Sequence, residues 1–464
     1  MKRTAASMLL FALTSCAAPQ GLDDLGSLLQ PYDDHAVQVV ALVVDLDTGE
    51  TLFSREAQRL VRPASTMKVL TTAAVCRRAP DGVLETTLSA DNLPVGVVKL
   101  TGAGDPFLST ADLRSLVREL KELGLERVHD NRVNVLDPLA GGARFGEGWM
   151  WDDEPASFMP AISAAAVDGG CVTVSVFGKD AGLEARLSPV AGELRLRVKP
   201  GPGPLRVTRG RYTAPELVTV NGRLPGRRLD ARFPRISVPD PARFTAWILA
   251  DALEQEGLLD GAPLVSAGGP VSMPFAGAHR VTLQRSISEV VESTNKPSDN
   301  LGAELLLRLL PSLVAEDATL GPDSAADGIA LIGEDLAHLG LDPTSYRISD
   351  GSGVSHYTLI SAEVLVRTLE DMHRIGGRSF EVFETSLPIA GVDGTLRRRM
   401  LETPAKGRVH AKTGTISGVS NLAGYVTTES GRKLAFAIMV QNYVGSSKPW
   451  RELQDAFCVQ LAEL

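Results

Sequence analysis

Arg62-Pro63-Ala64-Ser65-Thr66-Met67-Lys68-Val69-Leu70-Thr71-Thr72-Ala73-Ala74-Val75 places a serine and a lysine three residues apart at the head of an apolar run. On a helix, side chains at that spacing lie one above the other on the same face. A serine hydroxyl is a weak nucleophile until a base takes its proton. A lysine amine can be that base once burial or a second cation lowers its pKa. The apolar residues after Lys68 predict a buried helix, and Pro63 suits a place at or just before its first turn. Ser-x-x-Lys also arises by accident, and Ser293-Thr294-Asn295-Lys296 fits the same pattern. There Lys296 precedes Pro297, which pushes it out of the helical region.

The 464 residues admit about two or three domains of ordinary size. With 44% apolar and 22% charged residues, the chain has enough material for sizeable cores. A net charge of −9 argues against nucleic acid as a partner, because phosphate binding rests on lysine and arginine. At the N-terminus, Lys2-Arg3 precedes an apolar stretch from Ala5 to Leu13, too short for a span but suited to a secretory signal. Leu13-Thr14-Ser15-Cys16 resembles the bacterial lipobox, which makes residues 1–15 a signal peptide and Cys16 the lipidated first mature residue. Ordinary cleavage near Ala17-Ala18 is the alternative. Either reading places the protein outside the cytoplasm, in the bacterial cell envelope; the first adds a lipid anchor to a membrane. No later apolar run reaches the roughly 18 residues of a span.

Cys76, Cys171 and Cys458 are spaced like no zinc motif, and His-Glu-x-x-His is absent, so no metal and no cofactor is expected. Buried free thiols are the reading, with a disulfide between two of them left open.

His35 to Leu46 reads as a β-branched strand, turning at Asp47-Thr48-Gly49 into a second strand, Glu50 to Ser54. Leu422 to Thr428 and Lys433 to Val440 form a second hairpin around Glu429-Ser430-Gly431. An amphipathic helix runs from about Pro449 to Leu464. Strands from the two ends are therefore expected to share one sheet, with the middle of the chain inserted. That middle, residues 83–274, is punctuated by glycine and proline, with short strands, a helix from Thr110 to Leu123 and another starting at Asp240-Pro241. Helical patterns return over Val290 to Leu310, Ala325 to Leu339 and Ile360 to Ile375.

Two further motifs follow the serine. Ser298-Asp299-Asn300 lies in the first of those helical stretches, and Lys412-Thr413-Gly414 precedes the last hairpin. Ser-x-x-Lys, Ser-Asp-Asn and Lys-Thr-Gly in that order are the set found in active-site serine penicillin-binding proteins and β-lactamases. Each is weak alone; three in order are strong. The chain resembles the low-molecular-mass class C penicillin-binding proteins, the DacB-like D-alanyl-D-alanine carboxypeptidase/endopeptidases of peptidase family S13. Leu100-Thr101-Gly102-Ala103-Gly104-Asp105-Pro106, Gly148-Trp149-Met150-Trp151-Asp152-Asp153, Ile236-Ser237-Val238-Pro239-Asp240-Pro241, Asp350-Gly351-Ser352-Gly353 and Gly391-Val392-Asp393-Gly394-Thr395-Leu396 carry the likeness further.

That resemblance implies an α/β (α+β) fold: a penicillin-binding-protein/β-lactamase-like transpeptidase domain with an antiparallel sheet flanked by helices. It would be built from residues 22–82 and 275–464 and interrupted by one or two accessory subdomains in 83–274. The implied function is a serine-type D-Ala-D-Ala carboxypeptidase, also an endopeptidase, acting on peptidoglycan stem peptides and inhibited covalently by β-lactams. Ser65 would form the acyl-enzyme, with Lys68 as base, kept partly neutral by burial and by the charge of Lys412. Ser298 would relay a proton to the leaving amine, and Asn300 would hold Lys68 or the substrate amide. Lys412, Thr413 and Thr415 would bind the terminal carboxylate, and Gly414 would let the substrate backbone lie close to the strand. The amide N–H groups of Ser65 and Thr415 would receive the oxyanion. Asp153 is a candidate partner for a free amine of the stem peptide, and an exposed acid without that role is the alternative. His410 and Asp350 are read as structural.

Two competing functions are a serine β-lactamase and a wall-binding or β-lactam-sensing protein that acylates without turnover. The Glu-x-x-Leu-Asn context of class A β-lactamases is absent, since no asparagine lies between Asn300 and Lys412. A nucleophile-elbow hydrolase is disfavoured because Gly-x-Ser-x-Gly does not occur.

Overall fold

The computed structural model describes residues 20–33, 36–179, 182–190, 192, 194–211, 213–224, 230–233, 235–269, 279–315, 320–322 and 324–464. The signal-peptide reading of residues 1–15 and the lipidation of Cys16 lie outside them.

Strand Gln38–Asp45 pairs antiparallel with Lys433–Gln441, so the two ends of the chain do meet in one sheet. Its five strands run in the order Val409–Ile416, Val419–Thr427, Lys433–Gln441, Gln38–Asp45, Thr51–Arg55. Side chains alternate across a strand, and here both faces are covered. Val40, Leu42 and Val44 pack with the helix Met67–Arg78 and the helix Ala362–Ile375. Val39, Ala41 and Val43 pack on the other side with Leu25, Phe457 and Leu461, from the first and last helices, Gln20–Leu29 and Lys448–Glu463. Burial on both faces explains why Gln38–Asp45 reads as a continuous apolar run rather than an alternating one.

The middle of the chain has its own core. Leu264–Ala267, Arg127–Leu136, Val95–Thr101, Val83–Ala90 and His279–Ser286 form a mixed five-stranded sheet in that order. Helices Thr110–Glu122 and Pro241–Gln255 supply Leu113, Leu116, Val117, Phe244 and Leu249 to the cluster on it. Ser109 and Asp112 close a capping box on the first helix, and Asp240 caps the second. Two smaller sheets follow, one around Leu217–Arg223 and one around Cys171–Lys179. The pairing of His279–Ser286 with Val83–Ala90 carries this sheet past residue 274, where texture alone put its edge.

One local reading needs correction. The helix expected over Val290 to Leu310 is two helices, Ile287–Asn295 and Asn300–Val314, because Ser298 takes a left-handed φ of 66° that no helix tolerates. The helices Gln20–Leu29 and Gly377–Ser386 were not legible in advance. The second begins at a glycine pair, a signal that ordinarily ends a helix. Cys76, Cys171 and Cys458 are buried free thiols, and burial pushes the Cys171 thiol up to about 11.

Phe457 is fully buried and meets Phe53 and Phe436 at centroid distances of 6.2 and 6.4 Å. Phe457→Ala should therefore cost about 3–5 kcal/mol, read as a lower urea midpoint with an unchanged slope.

Candidate active site

Ser65 sits in a single 3-10 turn, Ala64–Thr66, that feeds straight into the helix Met67–Arg78. The approach to that turn is stitched to the sheet. Asn421 Nδ2 donates to the carbonyls of Arg62 and Pro63 at 2.9 and 2.7 Å, and Gln441 Nε2 donates to Arg62 O at 3.0 Å. Ala64 takes a left-handed φ of 46°, and Gly353 packs against its carbonyl so closely that a Cβ there would fall 1.9 Å from the oxygen.

Lys68 is fully buried, and its Nζ meets three oxygens: Asn300 Oδ1 at 2.7 Å, Ser352 O at 2.7 Å and Ser65 Oγ at 3.1 Å. Two of these can only accept. A neutral amine has two N–H groups and one lone pair, so carbonyl oxygens at two corners leave the lone pair for the serine hydroxyl. Burial lowers Lys68 to about 8, against the opposing pull of Asp350, Asp299 and Glu304. Of the two causes expected, burial and the Lys412 charge, desolvation is the one that lowers Lys68. The repulsion is felt by Lys412, which burial and Lys68 push well below its ordinary value.

Asn300 opens the helix Asn300–Val314, with Asp299 capping it by accepting from Gly302 N at 2.7 Å. Its Nδ2 donates to Phe158 O at 2.7 Å. Of the two roles expected for Asn300, the amide is therefore committed to Lys68 on one side and to the middle section on the other. Ser298, one step earlier, accepts from Lys412 Nζ at 2.8 Å. Lys412 is fully buried, donates also to Thr413 O, and has no carboxylate partner among the described residues. A buried cation left without a counter-ion is costly, and a carboxylate arriving beside it would relieve that cost.

Lys412, Thr413, Gly414 and Thr415 lie in mid-strand on Val409–Ile416, the edge of the sheet. Gly414 is required for a reason other than the one expected. A Cβ there would come within 2.6 Å of Pro63 O, 2.9 Å of Thr66 N and 3.1 Å of Ser65 N. The absent side chain makes room for the serine turn itself. Ser65, Ser298, Thr413 and Thr415 line one cleft of about 420 Å³.

Asp153 ends a short 3-10 turn, Trp151–Asp153, and is partly buried. Burial and Asp152 raise its carboxyl, opposed by His356 and Arg211. It makes no ion pair among the described residues. Trp151 and Phe158 beside it, and Tyr357 opposite, stay about half exposed. Asp350 holds its own loop, accepting from Ser352, Ser355, Thr358 and Trp149. His410 is a strand residue paired with Tyr425.

Glu304 was missed. Its Oε1 accepts from the amides of Gly351 and Ser352 at 2.9 and 3.0 Å, and its Oε2 pairs with Arg308 at 2.7 Å. It thereby fixes the carbonyl of Ser352 that holds Lys68. The signal was present: Glu304 follows Asn300 by one helical turn and so shares its face. Glu304→Ala should unpair Arg308 and two buried amides, lowering stability by about 3 kcal/mol, measurable by urea unfolding. Gly414→Ala should fold but displace the serine turn, slowing covalent trapping of Ser65 about a hundredfold, measured as the second-order rate of acylation by a fluorescent penicillin.

A model of the D-Ala-D-Ala carboxypeptidase 3 (S13) family matches residues 23–464. A D-alanyl-D-alanine carboxypeptidase from an Actinomadura strain is 32% identical, with 95% of this chain and 84% of that protein covered. The D-alanyl-D-alanine carboxypeptidase DacB of Haemophilus influenzae is 28% identical, with 82% and 80% covered. Among solved structures, penicillin binding protein 4 (dacB) from Haemophilus influenzae superposes with a TM-score of 0.80 at 20% identity, over 95% of this chain and all of that one. A predatory endopeptidase from Bdellovibrio bacteriovorus, solved with an immunity protein, gives 0.54 at 16% identity, over 92% of this chain and 93% of that one.

Proposed function

Because the chain belongs to the D-Ala-D-Ala carboxypeptidase 3 (S13) family, we propose that Ser65 is its nucleophile and Lys68 the base that activates it. The protein is a serine-type D-Ala-D-Ala carboxypeptidase acting on peptidoglycan stem peptides. The observation that carries the residue assignment is the Lys68 amine, held by two carbonyl oxygens with its third direction on Ser65 Oγ.

Ser65 Oγ attacks the carbonyl carbon between two D-alanines as its proton passes to Lys68. The tetrahedral oxyanion lies between the amide N–H groups of Ser65 and Thr415; losing one such donor costs about 3 kcal/mol in the transition state. When the C–N bond breaks, the departing amine takes through Ser298 the proton that Lys68 gained, which returns Lys68 to its neutral form. Lys412 keeps its own proton and holds the Ser298 hydroxyl in place. The terminal carboxylate pairs with Lys412, Thr413 and Thr415. Water then attacks the ester, Lys68 again serving as base, and the shortened peptide leaves with a new carboxylate.

Endopeptidase action on cross-linked stems follows from the same chemistry, with a larger leaving group. Asp153, partly buried and in no ion pair among the described residues, is the partner for a free amine on the acyl half of the substrate. Residues 22–82 and the chain from Ile287 onward form the catalytic domain. The accessory part between them, extended past 274 by the strand His279–Ser286, reaches the site through the Phe158 carbonyl. β-Lactams, one of which is complexed with the Haemophilus influenzae relative, would acylate Ser65. Export to the periplasm or the outer face of a membrane, with Cys16 lipidated, fits the N-terminal pattern. Among the described residues no helix is long and apolar enough to cross a membrane.

Ser65→Ala should abolish both labelling by fluorescent penicillin and release of D-alanine from a pentapeptide; labelling of that variant would refute the assignment. Lys68 must be neutral to act, and its pKa is lowered to about 8. Acylation should therefore rise as pH climbs, by about tenfold from pH 7 to pH 9, then level off. A rate independent of pH over that range would remove Lys68 as the base.

A further inference from the structure

The cleft that holds Ser65 does not end at the carboxylate site. It continues along the turn that follows Gly394 and closes against the terminal helix, and four arginines line that end: Arg397, Arg398, Arg399 and Arg451. No carboxylate shares the lining. Arg399 is committed to Asp455 at 2.7 Å and to Gln454 Oε1 at 3.2 Å, which clamps the turn to the helix Lys448–Glu463. Arg397, Arg398 and Arg451 are exposed, and their side chains have no hydrogen bond or ion pair among the described residues. In a chain of net charge −9, four cations gather on one wall of the cleft with Asp455 beside Arg399 and Arg451, which leaves that wall positive.

Their position says which half of a substrate they would meet. Thr413 Oγ1 donates to Thr395 Oγ1 at 2.9 Å, so the arginine-bearing turn abuts the residue assigned to the terminal carboxylate. The other rim of the site, Asn300 with the Phe158 carbonyl, does not line this cleft. The arginines therefore stand past the carboxylate, on the departing side of the scissile bond. A single departing D-alanine has one carboxylate, which Lys412 and Thr413 already absorb, and leaves the arginines unused.

We propose that this wall is a second anion subsite for a leaving peptide with carboxylates beyond the one at the scissile residue, namely the acceptor stem of a cross-link. The inference rests on the assignment of Ser65 and Lys412 above. No new chemical step is involved: the same C–N bond breaks, and the departing amine, now on the acceptor stem, takes the same proton. The guanidinium fork pairs with carboxylates in two parallel hydrogen bonds, so the subsite reads as a selector for charged over neutral leaving groups.

The test uses three substrates with one acyl half: a pentapeptide that releases D-alanine, a cross-linked dimer with free acceptor carboxylates, and the same dimer with those carboxylates amidated. Wild-type enzyme should favour the free dimer over the amidated one. In the Arg397→Gln, Arg451→Gln double variant, kcat/KM for the free dimer should fall about tenfold, chiefly through KM, and added salt should lose its effect. D-Alanine release and penicillin acylation should stay unchanged, which also shows that the variant is folded. Arg398→Gln alone should give a smaller loss of the same kind. An equal loss on all three substrates, or none on the free dimer, would overturn the subsite. Failure of the underlying assignment looks different: the Ser65→Ala variant would still release D-alanine.

Discussion

A lysine amine in the interior, with two carbonyl oxygens and a serine hydroxyl around it, sets the terms for the rest of this molecule. Taking an ammonium out of water disfavours the charged form, and the acceptors at Asn300 and Ser352 orient what remains. Neither acceptor stands by itself. Asn300 is placed by the capped start of its helix, and Ser352 by a loop that Glu304 grips through two amides. Glu304 is in turn neutralised by Arg308. The three carboxylates near Lys68 oppose its loss of charge, so burial has to outweigh them, and the result is an amine poised near neutrality rather than one locked in either state.

The second lysine completes the balance. Lys412 is buried, its charge disfavoured by desolvation and by Lys68, and its hydrogen bonds go to a hydroxyl and a carbonyl. In the proposed function such a group would receive the substrate's carboxylate. The strained backbone nearby serves the same end. Left-handed φ values at Ala64 and Ser298 put the two serine hydroxyls within reach of the two amines, and each is held by surroundings that leave no alternative.

The middle section meets this site through the Phe158 carbonyl on Asn300, the Trp149 indole on Asp350 and the Gly148 carbonyl on His356 N, with Ile162 and Ala164 packed against Leu301 and Leu305. It thus brings the stretch with the half-exposed Trp151 and Phe158 to one side of Asn300, while the cleft of Ser65 is lined at its far end by arginines.

The sequence alone settled the two hairpins, the terminal helix and the order of the three motifs. Alternation, turn residues and apolar spacing are local properties, and a strand buried on both faces announces itself as an apolar run. The same locality explains what was misread. Val290 to Leu310 has helical apolar spacing on both sides of Pro297, and the chain breaks there into two helices, with the Ser298 hydroxyl held by Lys412 more than a hundred positions later. Gly414 looked like room for a substrate and is room for the serine turn, a fact held in a contact between distant strands and not in the motif. Burial of Lys68 was legible, but which carbonyls meet it, and that Glu304 holds one of them, depend on three segments converging. Spacing names the residues that carry the chemistry; only the packed interior decides where their protons and charges can rest.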